Sequence, residues 1–214
     1  MSDQFDQAFW DERYRSHPTL WSGKPNPHLV GEVEDLIPGT ALDVGCGEGA
    51  DAIWLAERRW RVTAVDLSPV ALERAAAQAG RAGQQVAERI TWGRVDITDW
   101  EPPARYDLVS AQYLHLRLEP RQALFDHLAD AVAPRGTLLI VGHHPSDLET
   151  TMPRPSDPEL FFTGDDIAGR LDPGEWVVLT NTAAGRAVTD PEGRQVTIHD
   201  AVLRAQRRDA PVDT

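Results

Sequence analysis

Chemistry concentrates in residues 41–52, where the run ALDVGCGEGADA carries an apolar stretch into Gly45, Gly47 and Gly49 and then into helix-forming residues. A strand that ends in such a turn and opens a helix brings backbone N–H groups, and surface free of Cβ atoms, against a ligand at the strand's carboxyl end. The pattern is that of a nucleotide-type site. It also satisfies the dinucleotide fingerprint: Gly45, Gly47 and Ala50 stand at G-x-G-x-x-G/A spacing, and Asp66 falls near the distance expected of a ribose-binding acid. Asp43, Asp66 and Asp96 close three successive strand-like segments, so three carboxylates are expected at neighbouring strand ends.

Charge separates the two cofactor classes that such a loop could serve. A dinucleotide lays its pyrophosphate on the glycine loop and the helix N-terminus, where Asp43, Glu48 and Asp51 would repel it. S-adenosyl-L-methionine has no phosphate and brings an ammonium and a sulfonium, which the same acids attract. Asp66 then suits the two ribose hydroxyls, since one carboxylate can accept from both, and Asp96 suits the adenine amino group. Cys46, inside the loop, reads as a small residue chosen for fit.

The elements that must position these groups alternate from Thr40 onward. Strands are expected at 40–44, 61–66, 89–96, 106–111 and 136–142, with helices at 49–60, 70–83 and 121–133 between them. Strands separated by helix-length segments imply right-handed crossovers and a parallel sheet covered on both faces. Ser68 and Pro69 make a helix entry, the serine as N-cap and the proline at the first helical position. Residues 143–158 carry four prolines and read as a loop; a short helix at 164–171 and strands at 175–182 and 196–207 follow. Turn signals at Ala183–Gly185 and Asp190–Gly193 make the last two strands an antiparallel edge pair. Upstream, FWDERY at 9–14 sets Trp10, Arg13 and Tyr14 on one face of a short helix, and three prolines in 16–27 break it. The fold class expected is α/β: a doubly wound, Rossmann-like, mostly parallel sheet with an antiparallel edge pair at the C-terminus and an N-terminal helical cover. One domain is expected over 1–214, divided into a cover (1–37), a cofactor-binding core (38–142), a substrate-side loop (143–163), a C-terminal helix with edge strands (164–207) and a tail (208–214).

The loop, the acids and their spacing resemble the class I S-adenosylmethionine-dependent methyltransferases, closely over 40–142 and more loosely over 175–207. The resemblance implies that Asp43, Gly45, Cys46, Gly47 and Gly49 surround the methionine part, that Asp66 holds the ribose, that Leu67 packs on the adenine, and that Asp96 with Ile97 binds its amino edge. Gln112 and Tyr113 match the stretch that faces the transferred methyl. The N-terminal aromatics Trp10, Tyr14 and Trp21 resemble those of the tellurite-resistance and thiopurine methyltransferase branch, where such residues cover the cofactor. The activity implied is in-line methyl transfer to a small molecule through sulfur, oxygen, nitrogen or a chalcogen oxyanion. Two rivals are a nicotinamide-dependent oxidoreductase, for which no Tyr-x-x-x-Lys pair exists because Lys24 is the one lysine, and a non-catalytic cofactor-binding module.

Composition narrows the partners. With 21 basic against 34 acidic residues the net charge is −13, which repels phosphate backbones and anionic lipid. Nucleic acid and membrane surfaces are therefore not expected as partners. A single cysteine and an acidic N-terminal stretch lead us to expect a cytoplasmic protein, and the oligomeric state is unassigned. Of seven histidines, His115, His143 and His144 follow the fourth and fifth strands and are the candidate general bases; His127 and His199 are expected to be structural or exposed. No metal site is expected.

Overall fold

A computed structural model describes residues 5–209. Two helices, α1 (Gln7–Ser16) and α2 (Pro27–Val33), precede the alternating body. That body runs β1 (Thr40–Val44), α3 (Ala50–Glu57), β2 (Arg61–Asp66), α4 (Pro69–Ala82), α5 (Gln84–Ala87), β3 (Ile90–Arg94) and β4 (Tyr106–Gln112). It continues through α6 (Leu118–Asp130), β5 (Val132–His143), α7 (Gly164–Ala168), β6 (Trp176–Thr189) and β7 (Gln195–Arg207). The seven strands lie in the order β3-β2-β1-β4-β5-β7-β6. The first five are parallel; β7 runs antiparallel to both β5 and β6. The doubly wound sheet with an antiparallel edge pair is therefore present as expected.

The central strands are apolar without interruption because both faces are covered. In β5, Leu138 and Ile140 point to the face of α6 and α7, where Leu124, Phe125, Leu128 and Ile167 meet them. Leu139 and Val141 point to the opposite face, against Leu29 and Val33 of α2 and Leu55 of α3. The Ser68 hydroxyl accepts from the Ala71 N–H with Pro69 in the first turn, the helix entry read from the sequence.

Several boundaries differ from expectation. Helix α2 was hidden by the prolines of 16–27: Pro27 starts a helix here, with Asn26 capping the His28 N–H at 2.8 Å. The Ala183–Gly185 signal is no turn. Those residues pair within β6, Gly185 opposite His199, and the chain reverses only at Asp190, whose carboxylate accepts from the N–H groups of Glu192 and Arg194. Strand β3 ends at Arg94, so Asp96 lies beyond it and caps a 3-10 turn at Ile97–Asp99. Helix α6 ends before residue 131, and the chain turns through Arg135 at φ +65°. Residues 143–158 are more ordered than their prolines suggest: Pro145–Glu149 forms a 3-10 turn, and the buried Asp147 accepts from Arg154 Nε at 2.9 Å and from the His199 N–H at 2.7 Å. Among the described residues no helix is long and apolar enough to cross a membrane.

Candidate active site

A cleft of about 2430 Å³ opens at the carboxyl ends of β1, β2, β4 and β5, roofed by α1 and the segment 21–27. It spans the point where strand order reverses between β1 and β4, the place where open α/β sheets take ligands. Trp10, Tyr14, Trp21, Asp43, Gly45, Cys46, Gly47 and Gly49 all line it, as do Asp66, Leu67, Asp96, Ile97, Gln112, Tyr113, His115 and His143. His144 does not line it. Its Nδ1 lies 3.0 Å from Ser146 Oγ, which in turn lies 3.2 Å from His199 Nδ1. The expectation of His144 as a candidate base is corrected accordingly: successive residues leaving a strand point opposite ways, and His143 takes the cleft.

The glycine loop has backbone that only glycine adopts freely. Gly45, Gly47 and Gly49 have φ of +72°, +52° and +82°. A Cβ on Gly47 would stand 3.0 Å from the Tyr14 hydroxyl and 3.4 Å from Trp21 Nε1. Asp66, at the end of β2, ties the loop to the next helix: one oxygen accepts the Gly47 N–H at 2.8 Å and the other the Ser68 N–H at 2.9 Å. Each oxygen keeps a second lone pair for a ligand.

The acids form a negative pocket under the loop. Asp43 is buried, and its Oδ2 has no hydrogen-bond partner among the described residues. Burial, then the charges of Asp51 and Asp66, push the Asp43 carboxyl up. Burial raises Asp51 to about 6 against the opposing Asn26 N–H bond, and raises Asp66 against the N–H bonds of Ser68 and Gly47. A bound cation reverses this penalty, because it favours the ionised forms and supplies the donor missing at Asp43. Glu48 departs from the expected role. Its Oε1 pairs with Arg74 at 3.0 Å and its Oε2 accepts the N–H groups of Leu20 and Trp21, so it anchors the cover. Asp96, expected at a strand end, has Oδ1 taken by Thr98, which leaves Oδ2 for the cleft.

The cover is held at defined points. Ser68 Oγ donates to the buried Asp11 at 2.5 Å, and the Asn26 N–H reaches Asp51 at 2.6 Å. Trp21 Nε1 donates to the Tyr14 hydroxyl at 3.2 Å, and Trp21 remains 46% exposed, its ring lying over Gly47. Burial, with Asp66 next, pushes the Tyr14 phenol up. The Cys46 thiol is likewise pushed well up by burial and by Asp43, so it is no thiolate.

The other end of the cleft is aromatic. Ring centroids of Trp10 and His115 are 5.5 Å apart, of His115 and His143 6.1 Å, of His143 and Tyr113 4.9 Å, and of His143 and Phe161 6.0 Å. Burial, then the charges of Arg154 and His115, lower His143 to about 4, and burial also lowers His115. Both are uncharged at neutral pH. Gln112 Oε1 and His143 Nδ1 are buried without partners among the described residues. Sequence reasoning missed Asp11, Phe161, Arg186 and Asp200, all at or beside the cleft, and read Ser68 only as a helix cap. Only Asp200 left a signal: in a period-two strand it shares the core-facing side with Ile198 and Val202.

A nucleotide-type cleft at a switch point, with Asp43, Asp51 and Asp66 around its glycine loop, suits a cationic cofactor better than a pyrophosphate. Residues 42–138 match the family model described as a methyltransferase domain. The chain is 26% identical over 188 residues to the 2-heptyl-1-hydroxyquinolin-4(1H)-one methyltransferase of Mycobacteroides abscessus, covering 78% of this chain and 80% of that protein. It is 29% identical over 136 residues to a probable thiol methyltransferase 2 of Arabidopsis thaliana, covering 61% of this chain but only 59% of that protein. In fold it is similar to a structure described under the conversion of a disulfide bond into a thioacetal group during echinomycin biosynthesis (TM-score 0.71, 24% identity, 97% of this chain and 93% of that one). The methyltransferase-domain match and these relatives together support an S-adenosylmethionine-dependent methyltransferase, with S-adenosyl-L-methionine as the methyl donor.

Proposed function

We propose that the chain transfers this methyl group to a small molecule whose reacting atom is a thiolate or a similarly acidic group that arrives ionised. The observation that carries the choice is the aromatic acceptor end with its uncharged histidines, His143 at about 4. A base so weak gives little driving force for taking a proton from a phenol at neutral pH, since catalytic pKa values work best near the operating pH. The names of the thiol- and hydroxyquinolone-acting relatives support the same reading, and a net charge of −13 favours a free small molecule over nucleic acid.

When bound, the donor supplies a methyl carbon already activated by its sulfonium for in-line displacement. The chain's own residues then have separable roles. Asp43 takes the ammonium, Asp66 the ribose hydroxyls, and Asp96 with Ile97 and Leu67 the adenine. Gly45, Gly47 and Gly49 admit the ligand to close backbone approach, with Cys46 as a small, protonated spacer. Trp10, Tyr14 and Trp21 exclude water, and Gln112, Tyr113, His115 and His143 orient the acceptor so that alignment supplies most of the rate.

Release of S-adenosylhomocysteine should be followed with thiophenol, phenol and aniline from about pH 6 to about pH 9. Thiophenol should be methylated near neutral pH at least about tenfold faster than phenol, in line with its larger ionised fraction. Preference for aniline, or a phenol rate as fast as thiophenol's at pH 7, contradicts the proposal.

A further inference from the structure

Asp200 of β7 lies opposite His143 of β5 in the antiparallel ladder, so both side chains stand on one face of the sheet at the acceptor end of the cleft. Its side chain is 1% exposed, yet it is ionised. Burial raises the carboxyl, but hydrogen bonds from His28 and Arg186 outweigh that and hold it below its ordinary value. Oδ2 accepts from His28 Nε2 at 3.2 Å and from Arg186 Nε at 3.1 Å. One carboxylate thus joins the N-terminal helix α2 to the edge strand β6. Oδ1 has no partner in hydrogen-bond geometry among the described residues. A shielded carboxylate oxygen without a donor is costly, and Tyr113 brings a hydroxyl to the same corner of the cleft: its ring packs on that of His143, the cross-strand neighbour of Asp200, with Asn26 as the other side chain near that hydroxyl.

Tyr113 is itself unusual. It leaves β4 at φ +51°, a left-handed conformation that a tyrosine rarely adopts, with its N–H pinned to the Val141 carbonyl at 2.8 Å. Such backbone persists where the surroundings over-determine it. Its ring packs 4.9 Å from that of His143.

Resting on the reading that this end of the cleft takes the acceptor, we propose that Asp200 is a positioning residue. Its Oδ1 accepts the Tyr113 hydroxyl hydrogen and so fixes the Tyr113 ring against His143 as one wall of the acceptor site. His28 and Arg186 both engage Oδ2 and so do not compete for Oδ1. With its side chain only 1% exposed, Asp200 is expected to act on methyl transfer through Tyr113.

The test combines Asp200→Ala, Asp200→Asn and Tyr113→Phe in the full chain. Labelling with 3-fluorotyrosine gives one fluorine resonance for each of three tyrosines, and Tyr113→Phe identifies the third beside Tyr14 and Tyr106. Asp200→Ala should move the Tyr113 resonance and leave the other two in place. S-adenosylhomocysteine affinity by calorimetry should stay within about twofold, since the acids that face the donor are untouched. With thiophenol, Asp200→Ala should lower kcat/KM by about tenfold, the loss expected of a hydrogen bond to a charged group. Asp200→Asn, which keeps an acceptor oxygen, should recover part of it. In a Tyr113→Phe background, Asp200→Ala should cost nothing further. An unmoved Tyr113 resonance, or losses that add in the double variant, overturns the proposal. If the wild-type protein methylates no thiophenol, it is the acceptor reading that fails, and the fluorine shift alone then decides whether Asp200 holds Tyr113.

Discussion

Replacing Asp66 by alanine separates a ligand-binding carboxylate from a loop anchor. The side chain makes two backbone hydrogen bonds, to Gly47 at 2.8 Å and Ser68 at 2.9 Å, and lines the cleft at the end of β2. Loss of hydrogen bonds to an ionised acceptor costs about 1.5–3 kcal/mol, which is roughly a tenfold to 150-fold rise in the dissociation constant of S-adenosylhomocysteine. The same substitution frees the Gly47 N–H, so a lower melting temperature accompanies it whether or not a ribose binds there. Calorimetry must therefore be run beside thermal melting, with Asp66→Asn as a partner variant that keeps one acceptor oxygen. Weakened affinity in both variants, larger for alanine, is the expected result. A lower melting temperature with a dissociation constant within about twofold of wild type would refute the ribose assignment and leave Asp66 as an anchor only.

Gly47→Val should abolish S-adenosylhomocysteine binding in a folded protein, because φ +52° disfavours a branched residue and its Cβ would press on Tyr14; normal calorimetric affinity would reduce the loop to a turn. Asp51 has a folded pKa raised by burial from 3.8 to about 6, so its favourable term is complete below the unfolded value and is lost as pH rises through about 6. Asp51→Asn should therefore match wild type near pH 4 and exceed it in melting temperature above pH 6, and a difference that does not change with pH would reject this. His143→Ala should lower kcat/KM for thiophenol about threefold to tenfold by removing the neutral hydrogen bond that its unpartnered Nδ1 is free to make to the acceptor, whereas His144→Ala should leave turnover unchanged; the reverse pattern would exchange their roles. Arg74→Ala should release the cover, raising amide exchange at Leu20 and Trp21, since Glu48 then holds them without its counter-charge.

The parallel body was legible because burial on both faces leaves uninterrupted apolar runs, and turn glycines mark their ends. Leu42 and Val109 show the first, Gly45 and Gly47 the second. Helix α2 was not, because local rules weigh proline as a breaker and Pro27 is a starter only once Asn26 is recognised as its cap. The hairpin was misdrawn at Ala183–Gly185 for a similar reason: weak strand formers are held straight by pairing with β7, a non-local interaction. In the site, spacing and charge pointed to the glycines and the strand-end acids, and the family resemblance to Leu67, Ile97, Gln112 and Tyr113; all of them line the cleft. Glu48 was given the wrong task because its partners, Arg74 and the N–H groups of Leu20 and Trp21, lie 26 to 28 residues away. Asp200 and His28 are 172 residues apart, and only the folded chain brings them together. His143 and His144 could not be told apart until the direction of the last residue of β5 was known.

Methyl transfer is tested most directly by incubating the protein with S-adenosyl-L-methionine bearing a trideuterated methyl group and thiophenol at about pH 7.5, then analysing products by mass spectrometry. Transfer predicts the trideuteromethyl thioether and S-adenosylhomocysteine in equal amounts, both abolished by Gly47→Val. Unlabelled thioether, or no thioether despite tight S-adenosylhomocysteine binding, would contradict it.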